Sequence, residues 1–391
     1  MRSRTPINFV LETCVRTPDL IPVLNKTLIR KHILADLDYK RGDGKASRPP
    51  VQISLRITNA CNHRCAVCGQ FGEKGYIHTE DGKKLLKTMP LQKYKEIVDE
   101  VSRYKPIFYV TGGEAFLYPH LVELMNYIKH KGCTVSVVTN GVRLKESAEQ
   151  IVRNGWDMIL VSLDGPKKVH DQCRGLPGAY KAAVNGLFEL RRWKRKLRKS
   201  KPYILTSTTI SKVNAPVLDK TFTICNRIKP DVMVVYLSWF TTEKIGQQHT
   251  QIIEKALGIK PYTWKSYVNR FNEIDLDLFV SAVEKVRKKR WNFKSMFIPD
   301  LRLNDMKDYY LKPSEMFGYS KCIAPFIMVD IMPNGDVTTC RDFIDIKVGN
   351  VNDNKLLDIW NNDKFVQFRK LLIKHKGLLP ICARCCGLMG F

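Results

Sequence analysis

The chain contains 391 residues, which exceeds the roughly 100–200 residues of a typical domain and predicts one large unit with appendages, or two domains. Its composition, 44% hydrophobic and 26% charged, excludes a disordered or collagen-like protein. No stretch approaches the roughly 18 consecutive apolar residues of a membrane span. The apolar patch near the start ends at Glu12, too early for a signal peptide, so we expect a cytoplasmic protein.

Net charge and cysteine content narrow the class of function. The chain has 65 Lys and Arg against 38 Asp and Glu, a net charge of +27. A surface of this kind attracts nucleic acid, anionic membranes or acidic proteins. Twelve cysteines without an export signal favour metal or cluster ligation over disulfides, because cytosolic thiols are kept reduced.

Residues 1–50 are predicted to form an amphipathic, basic extension. Leu20, Leu24 and Leu28 recur at helical spacing, and Lys26 and Arg30 lie in the same stretch. Docking on the rest of the protein is the default interpretation. A basic amphipathic helix is also compatible with a peripheral membrane contact.

Residues 51–240 alternate between strand and helix patterns. Six short apolar, β-branched runs are separated by segments with helical periodicity. The runs are Val51–Thr58, Ile107–Thr111, Thr134–Thr139, Met158–Leu163, Tyr203–Ile210 and Val232–Leu237. Repeated strand–helix units predict an α/β fold with a parallel sheet. A partial (β/α)6 barrel of the TIM type and an open doubly wound sheet both fit, since a complete barrel has eight units.

Two further segments follow this core. Residues 241–314 are charged and helical in pattern, chiefly at Ile252–Leu257 and Leu276–Arg290, and we interpret them as a helical bridge. Residues 315–391 hold five of the twelve cysteines and are expected to form a small C-terminal module. The four isolated cysteines are interpreted as inert and buried, namely Cys14, Cys133, Cys173 and Cys225.

The first cysteine group, Cys61, Cys65 and Cys68, follows the first predicted strand with the spacing C-x3-C-x2-C. This places it at the carboxyl edge of a parallel sheet, where such folds build their sites. Three thiolates leave a fourth ligand position open, as a catalytic metal or cluster requires. A structural zinc would recruit a fourth ligand nearby, and His63 is poorly placed to be that ligand.

Polar residues also follow the next three strands, so that four strand tips are expected to meet at one mouth. Glycines at such a tip let a ligand approach the backbone, and a carboxylate can hold an ammonium group. The candidates for binding a cofactor are Gly112, Gly113, Glu114, Asn140, Ser162, Asp164 and Arg174.

The C-x3-C-x2-C, G-G-E and S-L-D-G motifs, with an arginine twelve residues after the serine, together resemble the radical S-adenosylmethionine (radical SAM) superfamily. The resemblance spans about residues 51–240 and implies a partial (β/α)6 barrel. It further implies a [4Fe-4S] cluster on Cys61, Cys65 and Cys68, with the open iron chelated by S-adenosylmethionine. By the same resemblance, Gly112, Gly113 and Glu114 hold the methionine amino group. Ser162 and Arg174 match positions that bind ribose or carboxylate.

The C-terminal module resembles the SPASM or twitch extension, which carries auxiliary iron–sulfur clusters in this superfamily. Cys322 is followed by Gly335, Cys340 and a final C-x2-C-C. Five cysteines cannot supply eight ligands, so one auxiliary [4Fe-4S] cluster is expected. Its ligands are Cys322, Cys340, Cys382 and Cys385, with Cys386 as a substitute or a spare thiol. Zinc on the same four cysteines is the alternative, because C-x2-C is also a zinc spacing.

The resemblance implies an enzyme that cleaves S-adenosylmethionine to a 5′-deoxyadenosyl radical, which then takes hydrogen from an unactivated C–H bond. Modification of a peptide or protein is the leading substrate interpretation; a lipid, another small molecule or RNA is the alternative. The basic run Arg191–Lys201 is interpreted as a solvated helix face in preference to a nucleic-acid patch. An acidic one-electron donor of the flavodoxin or ferredoxin type would suit the positive charge. A non-enzymatic iron–sulfur carrier or sensor would explain the cysteines but not the polar strand tips.

Overall fold

A computed structural model of the protein describes residues 33–268 and 273–385. The predicted N-terminal helix around Leu20, Leu24 and Leu28 lies outside these residues, as do Cys14 and Cys386. Among the described helices, none is long and apolar enough to cross a membrane.

All six predicted strands are present, and each pairs in parallel with the next one in the chain. They are β1 (Gln52–Arg56), β2 (Ile107–Thr111), β3 (Thr134–Thr139), β4 (Met158–Ser162), β5 (Tyr203–Thr209) and β6 (Val232–Tyr236). Their centres are apolar, as expected for parallel strands covered on both faces. Ile53, Val110 and Val137, for example, are fully buried.

Helices precede, connect and follow these six strands. The described ones up to β6 are α1 (Ala35–Arg41), α2 (Glu80–Lys84), α3 (Leu91–Val101), α4 (Leu121–His130), α5 (Leu144–Arg153), α6 (Lys167–Arg174), α7 (Ala179–Lys196) and α8 (Leu218–Ile228). Apolar residues at helical spacing turn one face of each crossover helix toward the sheet, such as Tyr94, Val98 and Val101 in α3. Trp193, in the basic end of α7, is buried and carries Lys196 Nζ 4.4 Å from its ring centroid.

The segment 241–314 contains the two predicted helices, α9 (Glu243–Leu257) and α10 (Leu276–Lys288), and a short α11 (Asp305–Leu311). It also contains a strand, β7 (Lys294–Ile298), which the helical interpretation missed and which pairs in parallel with β6. The strand is hard to recognise because it begins with Lys294 and Ser295, and only its last two residues are buried.

The C-terminal module continues the same sheet on the opposite side. Strand β8 (Met328–Ile331) pairs in parallel with β1, while β9 (Asp336–Thr338) and β10 (Lys347–Asn350) add antiparallel strands. The strand order is β10-β9-β8-β1-β2-β3-β4-β5-β6-β7. No β7–β8 pairing occurs among the described strands, so the barrel is partial, as predicted.

Two helices complete the module, α12 (Leu356–Trp360) and α13 (Asp363–Lys374). The Glu100 carboxylate accepts the backbone N–H groups of Leu356 and Leu357 at 3.0 and 2.7 Å. The Trp360 indole donates to the Arg48 carbonyl at 2.8 Å. These bonds and the β8–β1 pairing fix the module to the barrel, which places its cysteines relative to the first group.

Candidate cluster-binding and cofactor-binding sites

The first three cysteines lie in the loop after β1, at the carboxyl edge of the parallel strands. Two backbone hydrogen bonds fix this loop to the tip of β2. The Gly113 N–H donates to the Thr58 carbonyl at 2.7 Å, and the Glu114 N–H donates to the Ala60 carbonyl at 2.8 Å. The backbone is therefore held in place directly before Cys61.

Gly112 and Gly113 are needed for this contact between the two loops. A Cβ on Gly112 would lie 2.3 Å from the Thr58 carbonyl oxygen, and one on Gly113 would lie 2.2 Å from the Ala60 carbonyl oxygen. Both obstacles are backbone atoms, which cannot rotate away as a side chain can. The sequence interpretation was that these glycines admit a ligand, but what approaches them most closely in the structure is the cysteine loop itself.

The thiols of Cys61, Cys65 and Cys68 are half-buried. The Cys61 sulfur accepts the His63 N–H at 3.4 Å, and the Cys68 sulfur accepts the Phe71 N–H at 3.3 Å. Burial raises the pKa of Cys61 to about 12 and also raises the pKa of Cys65. Iron binding must therefore displace a proton from these thiols.

Glu114 joins the tip of β2 to the tip of β3. Its carboxylate is buried and accepts three hydrogen bonds, from the Thr139 hydroxyl at 2.7 Å, the Asn140 N–H at 2.7 Å and the Phe116 N–H at 3.1 Å. Burial raises the pKa of Glu114, although these hydrogen bonds oppose the shift. A carboxylate has about four acceptor positions, so one remains for a further donor.

Asn140 connects β3 to the cysteine loop. Its side-chain amide donates to the Asn62 side-chain oxygen at 2.7 Å, and Asn62 lies between Cys61 and Cys65 in the chain. Sequence reasoning selected Asn140 but missed Asn62. The available signal was a polar side chain directly after the first cysteine.

Arg174, at the end of α6, also reaches the cysteine loop. Its Nε lies 2.6 Å from the Asp164 Oδ2, and its Nη1 lies 3.9 Å from the Cys65 sulfur. The Arg174 carbonyl accepts the Arg64 N–H at 3.1 Å. Burial alone would lower the pKa of the Arg174 guanidinium. The neighbouring Asp164 and Cys65 outweigh this effect, so the pKa is raised. Asp164 is itself buried and accepts the Thr209 N–H at 3.1 Å.

Asp171, three residues before Arg174 in α6, is an acid that could pair with that guanidinium at the surface. Asp171 instead accepts the N–H groups of Gly178 and Tyr180 at 2.9 and 2.7 Å, at the start of α7. Ser162, the remaining candidate, ends β4 beside Ser207 of β5 and is 8% exposed. The structure thus brings Asn140, Asp164 and Arg174 to the mouth that holds the cysteine loop.

Two buried histidines lie in the same region. His170 is fully buried, and its Nδ1 accepts the Asp164 N–H at 3.0 Å. Burial lowers the pKa of His170 and of His63 to about 4. Both rings are therefore neutral at pH 7, and the positive charge next to Cys65 belongs to Arg174.

The four predicted ligands of the second cluster line a single cavity in the C-terminal module. They are Cys322, Cys340, Cys382 and Cys385. Burial, together with the neighbouring Cys322, raises the pKa of Cys382 to about 12. The Cys385 thiol donates to the Asp342 carboxylate at 3.2 Å. Asp342 is half-buried and lines the same cavity, whereas an acid in a loop is more commonly exposed.

Within residues 33–268 and 273–385, no disulfide joins any of the ten cysteines. In the same ranges, no three histidine, cysteine or acidic side chains are arranged to hold a single metal ion.

A polar network that sequence reasoning missed lies between the two cysteine groups. Arg56, in β1, donates to the Tyr76 hydroxyl at 2.7 Å and to the Arg341 carbonyl at 2.9 Å. The Arg341 guanidinium lies 3.8 Å from the Asp330 carboxylate and 4.6 Å from the Tyr109 ring centroid. The residues of this network were hard to recognise from the sequence, because each is a single polar residue in or beside an apolar strand.

Comparison with known proteins settles the family. Residues 55–199 match the Radical SAM superfamily, and residues 322–386 match the iron–sulfur cluster-binding domain SPASM. The chain belongs to the radical SAM superfamily. The predicted family, the enzymatic class and the cofactors, [4Fe-4S] clusters and S-adenosylmethionine, are confirmed by these matches.

Curated radical SAM relatives cover most of the chain. An AdoMet-dependent heme synthase from Methanosarcina barkeri is 29% identical over 342 residues, which is 85% of this chain and 88% of that protein. A second heme synthase, from Oleidesulfovibrio alaskensis, is 24% identical over 324 residues, 81% of this chain and 76% of its own. The mycofactocin maturase of Mycobacterium tuberculosis is 25% identical over 360 residues, 87% of this chain and 76% of its own.

Solved radical SAM structures confirm the fold. Streptococcus suis SuiB bound to S-adenosylmethionine superposes with a TM-score of 0.58 at 16% identity, over 91% of this chain and 76% of SuiB. Native anSMEcpe with bound AdoMet gives a TM-score of 0.53 at 16% identity, over 81% of each chain.

The residues present fit the cofactors of a radical SAM enzyme. Three thiols share one loop that backbone hydrogen bonds hold against the tip of β2. A half-buried, charged arginine lies beside Cys65, and four more cysteines line one cavity in the SPASM domain. Thiolates are the ligands that iron–sulfur clusters use.

Proposed function

We propose that Cys61, Cys65 and Cys68 bind the cluster that holds S-adenosylmethionine, and that one auxiliary cluster is bound in the SPASM domain. The auxiliary ligands are Cys322, Cys340, Cys382 and Cys385. When bound, the first cluster and S-adenosylmethionine supply a one-electron cleavage that yields a 5′-deoxyadenosyl radical, which takes hydrogen from an unactivated C–H bond of the substrate.

The observation that carries this proposal is the direct bonding of the cysteine loop, which follows β1, to the tips of β2 and β3 and to the end of α6. The tip of β2 binds the loop through Gly113 and Glu114, and the tip of β3 binds it through Asn140. Arg174 holds the loop from the region after β4. Such connections fix the loop before a cofactor arrives, so little reorganisation is needed when it binds.

Arg174 is suited to bind the methionine carboxylate. A guanidinium has five N–H donors in a planar fork, and the Asp164 carboxylate pairs with it as an ion pair at 2.6 Å from Nε. Asp164 is buried and accepts the Thr209 N–H, so it keeps a negative charge beside the guanidinium. Glu114 keeps one acceptor position for the amino group, beside the Gly112–Gly113 backbone. Ser162 is the remaining candidate for the ribose or the carboxylate.

The substrate we propose is a peptide. The mycofactocin maturase matches 87% of this chain, and two Bacillus subtilis proteins match 42% and 34% of it. Those two are a sporulation killing factor maturation protein, 27% identical over 167 residues, and an antilisterial bacteriocin subtilosin biosynthesis protein, 27% identical over 135 residues. An acidic donor of the flavodoxin or ferredoxin type, encountered in the cytoplasm, would complement the net charge of +27.

A small molecule of the haem pathway is the second candidate. The heme synthase of Methanosarcina barkeri matches 85% of this chain and 88% of its own length. The arginines Arg56 and Arg341, near the sheet interior between the two cysteine groups, suit the carboxylates of such a molecule.

The two candidates separate in one experiment. Extracts of a deletion strain are analysed by untargeted mass spectrometry for peptides and tetrapyrroles, and the accumulated species is supplied to the anaerobic, reduced enzyme. A peptide that loses hydrogen in step with 5′-deoxyadenosine release supports the peptide proposal, whereas a tetrapyrrole precursor that does so supports the second candidate. A matched strain carrying Cys61→Ala, Cys65→Ala and Cys68→Ala must accumulate the same species.

A further inference from the structure

His249 is a polar residue in the middle of an apolar helix face. It lies in α9, four residues after Ile245 and four before Ile253, so the three side chains share one side of the helix. Ile245 and Ile253 belong to a buried cluster against which Cys340 and Cys382 pack. The helical period thus directs His249 toward the cysteines of the SPASM domain.

The cavity lined by those cysteines is also lined by His249. The imidazole is 1% exposed, and its centroid lies 5.7 Å from that of Phe343. Neither ring nitrogen has a hydrogen-bond partner among the described residues. A buried polar group without a partner is costly, and in native proteins such a group calls for a specific explanation, such as a role at a redox site or a bound water or ion.

Thr339 provides a second, independent observation. It directly precedes Cys340, lines the same cavity, and is 5% exposed. Its hydroxyl has no hydrogen-bond partner within the described part of the chain. Two neutral donors from separate segments, one on α9 and one after β9, therefore line the same cavity as the four cysteines.

We propose that His249 and Thr339 donate hydrogen bonds to sulfur atoms of the auxiliary cluster, and that His249 in this way raises the cluster's reduction potential. The proposal rests on the auxiliary cluster of the proposed function. Hydrogen bonds to cluster sulfurs stabilise the more negative, reduced form, and they are among the factors that set iron–sulfur potentials. His249 is a positioning and tuning residue here, not a cluster ligand.

The test is a redox titration of the full chain followed by electron paramagnetic resonance. Cys61, Cys65 and Cys68 are replaced by alanine so that only the auxiliary cluster contributes a signal. His249→Phe keeps the ring volume and removes the donor, whereas His249→Gln keeps an N–H donor. Thr339→Val removes the hydroxyl at nearly constant shape. His130→Phe, an exposed position at the end of α4, is the control.

We expect about four irons per chain in every variant. His249→Phe should make reduction about tenfold less favourable, a negative shift of ~59 mV for one electron. Thr339→Val should shift the potential in the same direction, His249→Gln should recover part of the loss, and His130→Phe should change nothing. An unchanged potential in His249→Phe overturns the inference, and loss of iron in that variant overturns it by making His249 a ligand.

If the variant that lacks only Cys61, Cys65 and Cys68 binds no iron, the auxiliary cluster of the proposed function is overturned instead. Failure of the inference and failure of the proposed function can thus be told apart. Circular dichroism checks that each variant is folded. In the variant that lacks Cys61, Cys65 and Cys68, pulsed resonance after exchange into D2O should detect an exchanged deuteron coupled to the auxiliary cluster. The absence of that coupling contradicts the inference without relying on a substitution at His249 or Thr339.

Discussion

Arg174 and Asp164 form an ion pair at the barrel mouth, with 2.6 Å between Nε and Oδ2, directly beside the loop that carries Cys65. Both side chains are largely removed from solvent. Removing one partner of such a pair leaves an uncompensated buried charge, which is costly. The pair therefore contributes to stability and also holds the arginine in position for an anionic ligand.

Arg174→Ala should weaken S-adenosylmethionine binding by roughly ten- to a hundredfold, because a charge-assisted partner of a carboxylate contributes about 1.5–3 kcal/mol. It should also lower the free energy of unfolding by ~3 kcal/mol, since Asp164 is left buried alone. Arg174→Lys should recover part of the affinity. Anaerobic calorimetric titration and urea unfolding measure the two effects. Asp171→Asn, which affects the start of α7, is the control, and unchanged affinity in Arg174→Ala would refute the assigned role.

Gly113→Ala should remove the first cluster while the SPASM cluster remains. The new Cβ would meet the Ala60 carbonyl oxygen at 2.2 Å, so the cysteine loop must move away from β2. Iron content should fall by about half, and 5′-deoxyadenosine formation should be lost. The control is Gly178→Ala, which has φ +87° but nothing within 4 Å of its Cβ. That variant should cost about 1–2 kcal/mol of stability and retain its iron. Full iron content in Gly113→Ala would contradict the loop contact.

Strands β1 to β6 could be predicted because buried parallel strands are short, continuous apolar runs. The same rule missed β7, whose first residues, Lys294 and Ser295, are not buried. It also could not predict that β8 pairs with β1 in the register Ser54–Asp330, since that pairing joins residues far apart in the chain.

The sequence predicted those parts of the site that carry recognisable motifs. Cysteine spacing and G-G-E identified the first loop, but not that Gly113 packs against that loop or that Arg174 pairs with Asp164. His249 carried no signal, because a lone histidine in an amphipathic helix gives no indication of what it faces. Only the tertiary packing of α9 against the residues around Cys382 places it there.

Acidification should destabilise the protein through His170. Burial lowers the pKa of His170 from 6.5 to about 4. Between these two pH values, the unfolded state therefore binds a proton that the folded state does not bind. The contribution of the neutral His170 ring to the free energy of unfolding is fully present above pH 6.5. It is lost as the pH falls to about 4, a total of about 3 kcal/mol. His170→Asn keeps an acceptor for the Asp164 N–H but cannot titrate. Urea unfolding between pH 7 and 4 should show a shallower loss in this variant, and an identical slope would exclude the effect.

Replacing Cys322 and Cys340 together with alanine should abolish the auxiliary cluster and product formation. Some cleavage of S-adenosylmethionine without product should survive, because hydrogen bonds hold the first cysteine loop to the tips of β2 and β3. Cys225→Ala is a matched control, since that thiol belongs to α8 and is buried against Thr206 of β5. Iron analysis and 5′-deoxyadenosine assays measure the outcome, and zinc in place of iron at these positions would refute the assignment.

The most direct test is 5′-deoxyadenosine formation by reduced, iron-loaded protein under anaerobic conditions, with and without the first three cysteines. The wild-type chain should hold about eight irons, as two [4Fe-4S] clusters require, and should release 5′-deoxyadenosine from S-adenosylmethionine. The variant with Cys61, Cys65 and Cys68 replaced by alanine should keep about half of the iron and release none. Cleavage of S-adenosylmethionine by that triple variant would contradict the account.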